Sequence, residues 1–189
     1  MIIKQWYEQL LKVDSDIRDH LPDIKDHLPM LYRYASLCRH ITEFGVRTGN
    51  STAAFLHGGP NKLVSYDIND FKDYEEYKLM APEVEFIFKK EDTQFNTIEE
   101  TDMIFFDTIH TYDQVKMELE QHAHKARKFL MFHDTETFGE VGQDGSPGIM
   151  YAIREFMAVN KLWQIDYENK ACNGLLVLRK YKLQHILLG

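Results

Sequence analysis

Five short apolar runs separated by helix-compatible stretches constrain this chain more than any other feature. They are "ITEF" (41–44), "KLVSY" (62–66), "VEFIF" (84–88), "DMIFF" (102–106) and "KFLMF" (128–132), with helical stretches at 50–57, 71–80 and 112–126. Strands this continuously apolar are buried on both faces, the habit of a parallel sheet covered by helices. A glycine-rich stretch, "FGEVGQDGSPG", then precedes a helix near 148–160. Last, "WQIDYENKACNGLLVLRK" reads as two strands joined by a tight turn through Asn173-Gly174. The expected fold is α/β: a Rossmann-like, mostly parallel sheet with helices on both faces and a C-terminal antiparallel β-hairpin.

The 189 residues are read as one domain, large enough for a substantial core, with an N-terminal helical segment at 1–38 and the Rossmann-like core at 39–181. Ile2, Ile3, Trp6, Leu10 and Val13 recur at helical spacing over 2–13. A second helix is expected over 21–38, with Pro22 and Pro29 marking its start or a break. That region holds the near-repeat "RDHLPDIKDHLP", a single duplication and so no solenoid. The net charge is −8 and the basic residues are scattered, which argues against nucleic acid or a membrane surface as a partner. No apolar run approaches the ~20 residues of a membrane span, and the charged N-terminus lacks the apolar core of a signal peptide. A cytoplasmic location is the default expectation. Cys38 and Cys172 form no CxxC pair, so each is read as a small buried apolar residue, not as part of a zinc or disulfide framework.

Ligands of open α/β sheets bind outside the carboxyl ends of the strands, so chemistry is sought there. At the first strand, "ITEFGVRTGNST" gives Glu43, then Gly45 and Gly49 in a turn that a Cβ would obstruct, then Ser51 and Thr52 where a helix begins. The second ends at Asp67 in "VSYDIND", placed to accept hydrogen bonds from a ribose diol. The third leads to Asp92 in "KKEDT", the fourth to Asp107 in "FFDTIHTY", the fifth to His133 and Asp134 in "MFHDT". One such carboxylate is as readily a helix cap or turn former; an acid at all five ends is harder to assign to capping. The glycines do not follow GxGxxG, which disfavours a dinucleotide, and no Lys-Ser/Thr follows the second glycine, which excludes a P-loop. An acid on the first strand opposes a pyrophosphate but suits a cationic amino group and a sulfonium. That combination points to S-adenosylmethionine. His110, three positions after Asp107 and just before a helix, is the expected general base for transfer to a hydroxyl; a cap or solvated role is the plainer alternative. His122 and His124 are expected on the surface.

In this order, "ITEFGVRTGNST", "SYDIN", "MIFFDTIHTYDQV" and "MFHDT" resemble the successive motifs of class I S-adenosylmethionine-dependent methyltransferases, over about 41–180. The branch they resemble most contains macrolide-sugar O-methyltransferases and cephalosporin-hydroxylase-like proteins. The resemblance implies that Glu43, Gly45, Arg47, Gly49, Asn50, Ser51 and Thr52 hold the methionine moiety. It implies that Asp67 holds the ribose, that Asp92 and Thr93 lie beside the adenine, and that Ile68 belongs to the same cofactor-binding set. It further implies Asp107 and His110 as catalytic residues, and Asp107, His133 and Asp134 as ligands of a divalent cation. Mg²⁺ is reasonable for such a set, although His133 suits a transition metal better. The plainer reading has His133 and Asp134 only shaping the turn after the fifth strand. In that branch the fourth strand typically ends Asp-Gly-Asp-His-Ser-Tyr; here Asp107 to Tyr112 read Asp-Thr-Ile-His-Thr-Tyr, and Ile109 replaces the second acid.

The expected activity is methyl transfer from S-adenosylmethionine to a hydroxyl of a sugar or other small metabolite, with Mg²⁺ as a second cofactor. The expected partner is a small-molecule acceptor; whether the chain acts alone or as a homo-oligomer stays open. One alternative is a cofactor-binding or structural module that has lost its chemistry, which Ile109 favours. The other is an NAD(P)-dependent oxidoreductase, which the glycine spacing disfavours. Residues 135–150, with four glycines, are expected to form a lid or, more plainly, a passive connection.

Overall fold

All five apolar runs are strands, with ends shifted by a residue or two: β1 His40–Phe44, β2 Lys62–Asp67, β3 Glu85–Lys90, β4 Thr101–Phe106 and β5 Ala126–His133. The closing pair is β6 Trp163–Asn169 and β7 Leu175–Lys180. The computed structural model describes residues 1–12 and 24–182, and the chain forms two units, Met1–Asn96 and Thr97–Gly189. The strand order is β3-β2-β1 in the first unit and β4-β5-β7-β6 in the second. Pairing is parallel along β1, β2 and β3 and between β4 and β5, and antiparallel at β5–β7 and β6–β7. This is the mostly parallel, Rossmann-like sheet with an antiparallel end that the sequence predicts. No helix of the described residues is long and apolar enough to cross a membrane.

In the first unit, α1 (Ile3–Lys12) buries Ile3, Tyr7 and Leu10 at helical spacing. The helix expected over 21–38 is shorter: a 3-10 turn at Lys25–His27 leads into α2 (Leu28–Ala35), with Pro29 in its first turn. Val13, residues 21–23 and the first copy of the near-repeat lie outside the described residues. Both α1 and α2 pack on α3 (Asn50–His57), and Trp6 Nε1 donates to Tyr77 Oη of α4 (Tyr74–Met80) at 2.8 Å. Every residue of β1 is buried. The register pairs Phe44 with Tyr66 and Asp67 with Lys90, which brings the glycine turn, Asp67 and the segment after β3 to one edge.

In the second unit, α5 (Tyr112–His122) packs on α6 (Ile149–Val159). The helix expected over 112–126 stops at His122 and tightens into a 3-10 turn, Ala123–Lys125. His122 is buried, contrary to expectation, because it continues the Val115–Leu119 face of α5; His124 is exposed. The register pairs Phe106 with Phe132 and His133 with Leu175, so Asp107, His133, Asp134 and the β6–β7 connection share one edge. That connection runs over 170–174 and is longer than a two-residue turn, with Cys172, Asn173 and Gly174 at φ of 43°, 69° and 98°. Cys38 is buried as expected, whereas Cys172 is half-buried.

Candidate functional site

The glycine turn is built by its own backbone and closed from below by acids. Gly45, Arg47 and Gly49 all have positive φ (86°, 52° and 78°), and a Cβ on Gly49 would stand 2.7 Å from Phe71 Cζ. Glu43, fully buried, accepts from three hydroxyls: Ser51 Oγ at 2.6 Å, Thr52 Oγ1 at 2.9 Å and Ser65 Oγ at 2.5 Å. It therefore ties β1 and β2 to the first turn of α3, where a negative charge complements the helix dipole. Asp67 Oδ2 accepts the backbone N–H groups of Val46 and Arg47, both at 2.9 Å, and its Oδ1 accepts Asn69 N–H at 2.8 Å. The acid at the end of β2 thus fixes the shape of the turn. Asp92 Oδ1 accepts Gln94 N–H at 2.9 Å, and Thr93 beside it is buried.

Three features of this edge escape sequence reasoning. The buried Asn50 Oδ1 accepts no hydrogen bond among the described residues, and neither buried amide atom of Asn96 has a partner there. Ile68 and Phe95 are 58% and 84% exposed, far more than large apolar side chains usually are. Asn50 lies in a recognisable motif, but nothing in the sequence shows that its oxygen is left without a donor. Asn96 and Phe95 carry no pattern at all.

At the edge of the second unit, Asp107, His110, His133 and Asp134 converge. His110 Nε2 lies 2.8 Å from Asp134 Oδ2 and 3.3 Å from Asp107 Oδ1. His133 Nδ1 lies 3.2 Å from Asp134 Oδ2 and 3.3 Å from Asp107 Oδ1. Asp134 reaches this position with a left-handed backbone, φ 60°. Asp107, His110 and Asp134 each offer a ligand atom within 4.8 Å of the others. The sequence assigned His110 a separate role as base; the structure places its ring inside the cluster. Burial disfavours charge on all four groups, but their contacts outweigh it. Hydrogen bonds and charge from Asp107 and Asp134 raise His110 to about 10, and Asp107 above all raises His133 well above the ordinary imidazole value. Both carboxyls are held below their ordinary range, Asp107 chiefly by the charge of His133 and Asp134 by hydrogen bonds from the two histidines.

The glycine-rich segment after β5 wraps this cluster. Phe138 stacks on the His110 ring at 4.9 Å, and Gln143 Oε1 faces both His110 Nδ1 (3.0 Å) and His110 N–H (3.2 Å). Gln143 N–H in turn donates to the His110 carbonyl at 3.1 Å. The segment is internally bonded, with Gly142 N–H to Ser146 O at 2.7 Å and Gly148 N–H to Glu140 O at 3.0 Å. A Cβ on Gly148 would collide with the carbonyl oxygens of Phe138 and Gly139, so this glycine serves close backbone packing. Gln143 and Phe138 were not foreseen, because only the fold of this segment carries them to His110.

No family model matches the chain, and no curated protein matches it in sequence. Solved structures do match. The 1,6-didemethyltoxoflavin-N1-methyltransferase of Burkholderia thailandensis, bound to 1,6-didemethyltoxoflavin and S-adenosylhomocysteine, is 12% identical with a TM-score of 0.68, over 95% of this chain and 87% of that one. The N-methyltransferase NodS of Bradyrhizobium japonicum, in complex with S-adenosylhomocysteine, is 14% identical with a TM-score of 0.63, over 96% and 100%. An O-methyltransferase from Bacillus cereus, also in complex with S-adenosylhomocysteine, is 13% identical with a TM-score of 0.60, over 94% and 88%. What these likenesses show is the fold: this chain has the Rossmann-like fold of S-adenosylmethionine-dependent methyltransferases.

Proposed function

We propose that the chain is an S-adenosylmethionine-dependent methyltransferase acting on a hydroxyl of a sugar or other small metabolite. The observation that carries this reading is the edge around the glycine turn, where buried Glu43 and Asn50 Oδ1, an acceptor with no partner among the described residues, favour a cationic ligand. Such an edge suits the amino group and sulfonium of S-adenosylmethionine and opposes a pyrophosphate. Asp67 uses three acceptor positions on the turn and on Asn69, and a carboxylate has about four, so Oδ1 retains one for a ribose hydroxyl. In the same reading Asp92 and Thr93 flank the adenine, the Asn96 amide meets its polar edge, and Ile68 and Phe95 cover its faces. Arg47, Gly45, Gly49, Ser51 and Thr52 shape the methionine end.

Methyl transfer to a hydroxyl needs the two reactants aligned and a destination for the proton. In this reading the Asp107–His110 pair receives the proton once the imidazole is neutral, the form a bound cation would favour by displacing the proton that the two carboxylates otherwise hold on His110; Asp107 has the more exposed carboxylate, 24% against 8% for Asp134. The donor set also fits a divalent cation, since ligand atoms of Asp107, His110 and Asp134 all lie within 4.8 Å of one another and His133 Nδ1 faces both carboxylates. When bound, a cation would supply Lewis acidity toward the acceptor hydroxyl. Asp107 and Asp134 would hold it, with His110 or His133 as the nitrogen ligand.

A second reading has its own observation. Ile109, 43% exposed between Asp107 and His110, stands where the resembled branch has an acid, which favours a cofactor-binding module without turnover. Incubation with S-adenosylmethionine and a panel of sugars and small alcohols separates the two. The enzyme reading predicts acceptor-dependent release of S-adenosylhomocysteine that EDTA abolishes. Binding of S-adenosylhomocysteine with no turnover on any acceptor would favour the inactive module.

A further inference from the structure

Both histidines of the cluster are held with their outer nitrogens as donors. The Gln143 side-chain atom facing His110 accepts that residue's backbone N–H, which can only donate, so it is the amide oxygen. His110 Nδ1, 3.0 Å from the same oxygen, must then donate to it. His133 Nε2 lies 3.2 Å from the carbonyl oxygen of Cys172, again an acceptor only. Each ring therefore turns its other nitrogen inward. His110 Nε2, Asp107 Oδ1, His133 Nδ1 and Asp134 Oδ2 form a closed ring of alternating nitrogen and oxygen, with successive separations of 3.3, 3.3, 3.2 and 2.8 Å. Metal–ligand bonds of ~2.0–2.2 Å place neighbouring ligand atoms about 3–3.5 Å apart, near these spacings. An outer N–H bonded to a carbonyl oxygen is also how metal-ligating histidines are oriented.

We propose that Asp107, His110 and Asp134, whose ligand atoms all lie within 4.8 Å of one another, form one three-ligand site for a first-row transition-metal ion rather than for Mg²⁺, with Gln143 and His133 as its positioning residues. Mg²⁺ favours all-oxygen, water-rich surroundings, whereas imidazole nitrogens suit the later divalent metals. The inference deepens the proposed function and rests on its placing of a divalent cation at this cluster. It also makes His110 a ligand instead of a base, so that the acceptor's proton leaves to solvent.

The test is calorimetric titration of chelator-treated full-length protein with Mg²⁺, Zn²⁺ and Co²⁺, with the visible absorption of Co²⁺ as a second readout. Zn²⁺ and Co²⁺ should bind roughly a hundredfold or more tighter than Mg²⁺. His110→Ala should weaken Co²⁺ at least tenfold and alter its visible spectrum. A base-only His110 would leave both unchanged. Gln143 is exposed, so its substitution spares the core. Gln143→Leu should weaken Co²⁺ by about 10–100-fold, and Gln143→Glu, which keeps an acceptor oxygen, should restore it. Mg²⁺ binding as tightly as Zn²⁺, or a His110→Ala protein with unchanged Co²⁺ affinity, overturns the proposal. Titration of the same samples with S-adenosylhomocysteine keeps the two readings apart, since loss of metal binding with retained cofactor binding sinks only this inference.

Discussion

Asp67 holds the glycine turn with its carboxylate and is proposed to hold the ribose with it as well, and its substitution should show both. Its Oδ2 holds the amides of Val46 and Arg47, so Asp67→Ala frees the turn as well as removing a ribose acceptor. We expect S-adenosylhomocysteine affinity to fall by about 1.5–3 kcal/mol, the scale of hydrogen bonds to a charged group, as measured by calorimetry. Unchanged affinity would reject the ribose assignment. At this scale the sequence was informative about placement: Glu43, Asp67, Asp107, His133 and Asp134 lie at or beside the strand ends where it puts them. It was silent on who satisfies whom. That Glu43 accepts from Ser51, Thr52 and Ser65 depends on the β1–β2 register and the start of α3, which no local pattern states.

Among the elements, the strands were the most legible, because burial on both faces forces apolar runs into the sequence. The segment after β5 was the least. Its glycines suggest disorder when only composition is considered, yet they permit backbone contacts that bring Phe138 and Gln143 to His110. Gly148→Ala should destabilise the protein by about 1–3 kcal/mol, the usual scale of overpacking, in chemical denaturation. Amide exchange at Gly142 and Gly148, whose N–H groups are bonded within the segment, should be slow in the free protein. Fast exchange there would restore the expectation of a lid. The β6–β7 connection teaches the same lesson: Asn173-Gly174 marked a turn, but Cys172 also lies at positive φ, and its carbonyl is what orients His133.

For the whole molecule, the His–Asp cluster sets a pH dependence whose sign follows from its contacts. His110 is raised from 6.5 to about 10, and His133 moves the same way, so their contribution to stability is full below about 6.5 and is lost as pH rises toward 10. Asp107 and Asp134 are depressed below 3.8, so theirs is present above that value and is lost as pH falls further. Chelator-treated protein should therefore melt at progressively lower temperature from pH 6.5 to pH 10, and bound Zn²⁺ should flatten that decline by replacing the protons. A melting temperature that rises over this range without metal would contradict the assigned contacts. Everything proposed for this protein depends on the glycine turn and its acids holding S-adenosylmethionine. Calorimetric titration of the intact chain with S-adenosylhomocysteine and, separately, with NAD addresses that claim directly. S-adenosylhomocysteine should bind saturably at one site per chain and NAD should give no heat; binding of NAD in the absence of any response to S-adenosylhomocysteine would contradict the proposed cofactor.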